Sequence, residues 1–267
     1  MRSPTGAWQS CDREGSSIAL FEPSTYAWND VFASVDWFHV TDITTALSRQ
    51  AAEAAVEGAR TARDLGLTVS CDLNFRKKLW RWDSESAPKS LAERTMRELL
   101  GFVDVLIANE EDASNVLGLS ASGSDVHSGV ISVDGYADLA HQIATQFPNL
   151  RLIATTLRES ISATHNRWGA MLFDTASGLS HFAPRKGDEY HPYEITSIVD
   201  RVGGGDSFAA ALIFALTTEE LSAPDDALGF AAAASCLAYS IWGDFNLSSR
   251  SEVEALAAGS ASGRVVR

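Results

Sequence analysis

Three successive glycines, Gly203, Gly204 and Gly205, stand directly before a carboxylate, Asp206, in Ile198-Val-Asp-Arg-Val-Gly-Gly-Gly-Asp-Ser-Phe208. They fall between a β-like segment, Glu194 to Val199, and an apolar helix-like run, Ala209 to Leu216. Residues without Cβ let a ligand come close to the main chain and let several N–H groups aim at one point. A helix starting at about Gly205–Asp206 adds its unpaired N–H groups and the positive end of its dipole. The chemistry this suits is anion binding, with Asp206 beside the anion handling a proton or a metal. The plainer reading of the same residues is a flexible turn in which Asp206 is an N-cap.

Three further polar clusters follow strand-like segments, and in open parallel sheets ligands bind beyond the carboxyl ends of the strands. In Asp72-Leu-Asn74-Phe-Arg76-Lys-Lys-Leu-Trp80, the alternate residues Asp72, Asn74 and Arg76 share one side of an extended segment. Arg76 offers a planar fork suited to carboxylate or phosphate, against a plainer reading as a solvated loop. Asn109-Glu-Glu-Asp112 reads either as helix N-terminal capping or as metal-linked chemistry. Thr155-Thr-Leu-Arg158-Glu-Ser reads as an ordinary turn or as a ligand-facing loop.

These residues need a scaffold, and the totals allow one. A chain of 267 residues with 45% hydrophobic and 21% charged residues can bury a substantial core, and one domain over residues 1–267 is the expectation. The formal charge of −14 argues against a nucleic-acid surface and requires locally placed Arg, Lys or N–H groups for any anionic substrate. Cys11, Cys71 and Cys236 are sparse and widely spaced, which fits buried thiols in a reducing compartment. No run of about 18 apolar residues and no signal-peptide core occur, so a cytoplasmic protein without a membrane partner is expected.

Strands are expected at Val35–Val40, Leu67–Asn74, Val103–Ala108 and Leu150–Thr156, with helices between them. Ser48 caps a run in which Ala51, Ala54, Ala55, Ala59 and Ala62 recur at helical spacing up to Gly66. Lys89–Gly101 and Val133–Phe147 continue the alternation, and the Ser/Gly-rich 114–133 stretch reads as a surface excursion. Trp168–Phe173 and Leu179–Ala183 suggest a short antiparallel meander, and Asp225–Ile241 an alanine-rich buried helix. The tail, Ala257–Arg267, is small and polar. The pattern implies an α/β fold, a doubly wound, mostly parallel sheet with helices on both faces.

Taken together, the clusters resemble the ribokinase/PfkB family of sugar kinases, and within it the 2-keto-3-deoxygluconate kinases. Asp200-Arg-Val-Gly-Gly-Gly-Asp-Ser-Phe208 is similar to the family signature, and Asp72-Leu-Asn74-Phe-Arg76…Leu79-Trp80 to the ketodeoxygluconate-kinase segment. The resemblance implies that Asp206 is the catalytic base and that the amides of Gly203, Gly204 and Gly205 hold the phosphates during transfer. It implies a substrate side made of Arg13, Asp72, Asn74, Arg76, Asp206 and Asp244. Thr156, Arg158, Gly203, Gly205 and Ser235 would form the nucleotide side. Asn109 and Asp112 would order magnesium indirectly, through water. ATP and Mg2+ are the implied cofactors, a sugar acid the partner, and a homodimer is possible in this family.

Some features depart from the family pattern. The family's first strand, its Gly-Gly-Asn-like sugar segment and most of the lid have no counterpart here, and the residues 1–20 read as a remnant of a lid strand. Cys11 stands where a tyrosine is usual, Asp112 where glutamate is usual, and Asp42 where relatives often carry glycine before the Ile-Thr pair. An incomplete sheet would expose a strand edge, and substrate positioning would suffer. The expected function is ATP-dependent phosphorylation of a sugar acid, with a catalytically silent nucleotide-binding homologue or a kinase of another sugar as alternatives. A dinucleotide oxidoreductase and a Walker A hydrolase are disfavoured, because the glycines precede a late helix and no Gly-Lys-Ser/Thr follows them.

Overall fold

A strand–helix–strand arrangement forms around the alanine run that follows Ser48. The computed structural model describes residues 13, 15–121 and 133–259. They make two units, one of residues up to Asp104 with Asn115–Leu117, the other of Val105–Ser114 and Gly118 onward. Cys11, most of the 114–133 stretch and the tail beyond Gly259 lie outside the described residues.

The first unit begins with two short helices, α1 (Ser17–Leu20) and α2 (Trp28–Val31), and then strand β1 (Trp37–Thr41). Next come α3 (Asp42–Leu47), α4 (Arg49–Asp64), β2 (Thr68–Asp72) and α5 (Pro88–Leu100). The Ser48 hydroxyl accepts the Ala51 N–H at 3.0 Å, so the expected cap starts α4. Ala51, Ala54, Ala55, Ala59 and Ala62 are all buried on one face, and Gly66 turns the chain at a φ of +82°. Small residues on that face let the helix lie close, and Gly58 is overlain by the Trp28 ring, which a Cβ would strike at 2.9 Å. Strands β1 and β2 pair in parallel, with Trp37 opposite Thr68 and Thr41 opposite Asp72. Both strands therefore end their carboxyl termini together, at Thr41 and Asp72.

In the second unit β3 (Val105–Ala108) leads into a short helix, α6 (Glu110–Asp112), and a π-turn, Ala113–Leu117, whose last three residues are counted with the first unit. Helix α7 (Val133–Gln146) precedes β4 (Leu152–Ser160), β5 (Asn166–Asp174) and β6 (Leu179–Ala183). A two-residue ribbon, β7 (Arg185–Lys186) with β8 (Glu189–Tyr190), precedes β9 (Tyr193–Ile195). Strand β4 is parallel to β3, whereas β5 pairs antiparallel with β4, β6 and β9. Helices α8 (Gly204–Leu216), α9 (Pro224–Ala238) and α10 (Arg250–Ala257) close the unit.

The core of this unit joins Ala154, Ala170 and Leu172 from the strands to Phe208 and Leu212 of α8 and to the alanines of α9. Phe208 and Leu212 are fully buried. Each contributes roughly 1.5–3 kcal/mol and fixes the orientation of the helix whose first turn carries the glycines. Two expectations need correction. β4 runs on to Ser160, so Thr155–Ser160 is strand rather than turn, because it pairs residue for residue with Asn166–Met171. The β-like segment before the glycines is confined to Tyr193–Ile195, the length over which β5 offers it a partner. Among the described residues no helix is long and apolar enough to cross a membrane.

Candidate active site

The glycine turn is built by requirements that differ at each of its three positions. Gly203 is the N-cap of α8 at φ +79°, a left-handed conformation that a side chain disfavours. A Cβ there would also lie 2.8 Å from the Asp244 carbonyl oxygen, so the backbone of the late loop rests directly on this residue. At Gly204 a Cβ would meet the Tyr239 ring at 3.2 Å. Around Gly205 no atom lies within 4 Å of such a Cβ, so this face is open.

The first helical bond of α8 runs from the Ser207 N–H to the Gly203 carbonyl at 2.8 Å. Among the described residues nothing accepts the N–H groups of Gly204, Gly205 and Asp206. Gly205 and Asp206 are exposed, while Ser207 and Phe208 are buried. Three unused donors and the positive helix end therefore stand beside an exposed carboxylate that has no ion-pair partner among the described residues. This start, one residue before the expected Gly205–Asp206, makes Asp206 a first-turn residue and not the cap.

Neighbouring elements brace the turn. The buried Ser235 hydroxyl on α9 donates to the Gly204 carbonyl at 2.7 Å. Ser235 was expected on the nucleotide side, and its position within this bond places it beneath the turn. Tyr239 packs its ring on Gly204 and on Trp168, with ring centroids 5.3 Å apart in the latter pair. Burial pushes the Tyr239 hydroxyl above its ordinary pKa, and Arg158 of β4 donates a hydrogen bond to it. Thr156 lies on the same strand, half-buried and opposite Ala170.

Sequence reasoning quoted Asp200 only as part of the signature, yet it organises the approach to the glycines. Its carboxylate accepts N–H groups from Arg201 at 2.7 Å, Val202 at 3.1 Å and Gly243 at 3.1 Å. The Val202 and Gly243 bonds hold it below the usual carboxylate range. An Asp two or three residues before a glycine turn is an Asx-turn signal, which could have marked it. Arg201 in turn donates to the carbonyls of Ala163 at 2.8 Å and Ser162 at 3.4 Å. The Asp244 side chain is exposed, and it is its backbone that touches the turn.

Asn109 caps the short helix after β3: its side-chain oxygen accepts the Asp112 N–H at 2.8 Å. Asp112 is buried. Among the described residues no three His, Cys, Asp or Glu side chains gather as a metal cage. The donor set fits a magnesium ion that keeps its own waters and arrives with phosphates, and does not fit an all-protein site. Among the described residues, Cys71 and Cys236 are poor candidates for nucleophilic chemistry. Burial pushes the Cys236 thiol up to about 12 and that of Cys71 well above its ordinary value.

In the first unit the polar segment after β2 alternates in burial only over its first residues. Leu73 is fully buried, Asp72 and Asn74 are half-buried, and Arg76 is exposed. Asp42, the first residue of α3, is fully buried beside them, and the Trp80 indole N–H donates to its Oδ1 at 3.0 Å. Burial raises Asp42 to about 7, with Asp72 adding to the rise and Trp80 and Arg76 opposing it. Arg13 is exposed.

The profile of the pfkB family carbohydrate kinases matches residues 13–241, spanning both units. The chain belongs to the pfkB family. Its fold is accordingly ribokinase-like, an α/β architecture around a mostly parallel central sheet with the antiparallel strands β5, β6 and β9 at one side. This pfkB chain is 39% identical to the 2-dehydro-3-deoxygluconokinase of Thermotoga maritima, with a TM-score of 0.77 over 90% of this chain and 66% of that one. It is 28% identical to the 2-dehydro-3-deoxygalactonokinase of Haloferax volcanii over 94% of this chain and 66% of the relative. A putative ribokinase II of E. coli, solved with ATP and Mg2+, shares the fold at 15% identity and a TM-score of 0.60. The pfkB chain thus spans slightly less than two thirds of the length of the first two relatives.

Proposed function

We propose that this pfkB-family chain phosphorylates a sugar acid at the expense of ATP, with 2-keto-3-deoxygluconate, giving its 6-phosphate, as the preferred substrate. The observation that carries the proposal is the turn itself: three N–H groups at a helix start, unclaimed among the described residues, directly beside an exposed Asp206 with no ion-pair partner among them. Support for the acid class comes from Arg76, in a segment whose alternation leaves a guanidinium in solvent after a half-buried Asp and Asn. The two relatives named for gluconate- and galactonate-derived acids point the same way.

The division of labour follows from chemistry. Asp206 accepts the proton of the attacking hydroxyl as its oxygen bonds the γ-phosphorus of ATP and the γ-phosphorus bond to the bridging oxygen breaks, releasing ADP. The N–H groups of Gly204, Gly205 and Asp206 donate to the oxygens on which charge accumulates, and Gly203 supplies the left-handed bend that aims them. Arg76 and Arg13 hold the carboxylate of the sugar acid, with Asp72, Asn74 and Asp244 accepting its hydroxyls. Thr156 and Arg158 belong to the nucleotide side, and Ser235 secures the turn from behind. Asn109 and Asp112 order magnesium through water; the ion neutralises phosphate charge when bound. Residues 1–267 act as one kinase domain in the cytoplasm, without nucleic-acid or membrane partners and with a homodimer as the state to look for.

A coupled assay of the 267-residue chain with ATP, magnesium and a panel of acidic and neutral sugars tests this. Turnover with the acid that disappears in Asp206→Asn, while nucleotide binding persists, is the expected result. Equal turnover by the variant sinks the assignment of the base, and preference for a neutral sugar sinks the substrate class.

A further inference from the structure

Asp42 follows β1 at once, and Thr41 before it stands opposite Asp72 at the end of β2. Its carboxyl is thus placed at the carboxyl end of two parallel strands, with the Asp72–Arg76 segment beside it. The side chain is fully buried, and only one of its oxygens is served. Trp80 donates to Oδ1, while Oδ2 is buried with no partner among the described residues. Nearby donors are directed elsewhere. The Thr45 hydroxyl goes to the Asp42 carbonyl at 2.8 Å and lies 3.3 Å from the Met96 sulfur, and the Trp82 indole N–H goes to the Thr45 carbonyl at 3.1 Å. An ionised carboxylate with a bare buried oxygen is far more costly than a protonated one.

We propose that Asp42 is a proton-linked specificity residue of the acid-sugar side, whose negative charge competes with the substrate carboxylate for Arg76 and whose protonation removes that competition. The inference rests on the proposed role of Arg76. The charges that face Asp42 are Asp72 from the end of β2 and Arg76 from the segment after it, with the buried Cys71 thiol behind. Thr45 of α3, bonded to the Asp42 carbonyl, and Met96 of α5, against the Thr45 hydroxyl, are neutral. Burial already brings Asp42 to about 7, so its charge is in play at neutral pH, and the nearby Asp72 charge adds to the rise. A carboxylate arriving at Arg76 adds negative charge and withdraws the guanidinium's support for ionised Asp42. Both effects drive a proton onto Asp42 as the sugar acid binds. Below the free group's titration range the proton is already there and affinity is full. Above it, binding must recruit the proton, and affinity falls by up to about tenfold per pH unit. A neutral sugar brings no charge and shows no such slope.

The test is equilibrium binding of 2-keto-3-deoxygluconate and of ribose to the full chain between pH 6 and pH 8.5, for the parent and Asp42→Asn. Asparagine keeps an oxygen for Trp80 and sets a neutral NH2 where Oδ2 lies, imitating the protonated acid. The expected result is affinity for the acid that drops by about tenfold across the range in the parent and stays flat in the variant. Uptake of a fraction of a proton per ligand, read calorimetrically in two buffers of different ionisation heat, should accompany it. An unchanged slope in Asp42→Asn, or no uptake, overturns the proposal with the substrate class intact. Should the variant fail to fold, the carboxyl 13C titration of Asp42 in the ligand-free parent decides: a midpoint in the ordinary carboxylate range overturns the proposal. Equal binding of acid and neutral sugar at every pH overturns Arg76's role and this inference with it.

Discussion

The hydroxyl of Ser235 on α9 donates to the carbonyl of Gly204, the first residue of α8, at 2.7 Å. The bond lies beneath the face of the turn that keeps its N–H groups free, so it can set their direction without using any of them. Ser235→Ala should cost about 1–2 kcal/mol in unfolding free energy, because the buried Gly204 carbonyl loses a donor. Nucleotide affinity should weaken only as far as the turn relaxes, and Ser235→Thr should not restore it if a methyl cannot be fitted beside Gly204. Chemical denaturation alongside nucleotide titration checks both.

Gly203 and Gly205 should respond oppositely to the same substitution. Gly203→Ala must hold a side chain at φ +79° and push against the Asp244 backbone, and should lose about 1–3 kcal/mol of stability together with activity. Gly205→Ala meets no atom and lies in the first turn of a helix, so stability should hold or rise by about 0.5–1 kcal/mol. Its added methyl nevertheless occupies the open face where phosphate must approach. Thermal melts paired with turnover separate a folding defect at the first position from a blocked site at the second.

Asp42 should leave a mark on stability as well as binding. Its folded-state proton affinity lies near 7 against an ordinary 3.8, so between these values the folded chain holds a proton that the unfolded chain has released. Stability then falls as pH rises across that interval, by up to about 1.4 kcal/mol per unit, and levels off above it. Asp42→Asn should remove this slope and be the more stable protein at pH 8. Melting curves from pH 5 to pH 8.5 for both proteins give the comparison.

Asp200 carries the opposite sign. Backbone N–H groups hold its carboxylate below the usual range, so its contribution is present above the ordinary carboxylate pKa and is lost as pH falls through the lowered value. Asp200→Asn should loosen the Arg201–Gly243 connection and lower nucleotide affinity at neutral pH, with little change in the far-ultraviolet spectrum. Unaltered affinity would show that the glycine turn keeps its shape without this tether.

Local signals carried much of this fold. The alanine run with Ser48 before it and Gly66 after it marked α4 to within a residue of its ends, because cap, periodicity and stop all act within a few turns. The end of β4 was illegible, since three of the four residues Leu157–Ser160 are polar and the segment becomes strand only through pairing with Asn166–Gly169. Asn109 shows the same limit in a polar cluster. Its spacing to Asp112 suits a cap or a hydrated metal, and the bond at 2.8 Å supplies the cap without excluding water-mediated work by the other lone pair. Asp42 was visible as an odd residue where glycine is usual, but its burial was not, because its partner Trp80 lies 38 positions later. The Ser235–Gly204 bond spans 31 positions and is equally invisible to local reading.

The contact between Gly203 and the Asp244 backbone has a further consequence for how this chain can vary in length. Loops ordinarily tolerate insertion because their middles are slack. Here Tyr239 is fixed by its ring on Gly204 and by accepting the Val199 N–H at 2.8 Å, and Gly243 is fixed on Asp200. The few residues between those anchors form a strut of set length, so adding or deleting one there would displace the anion turn itself.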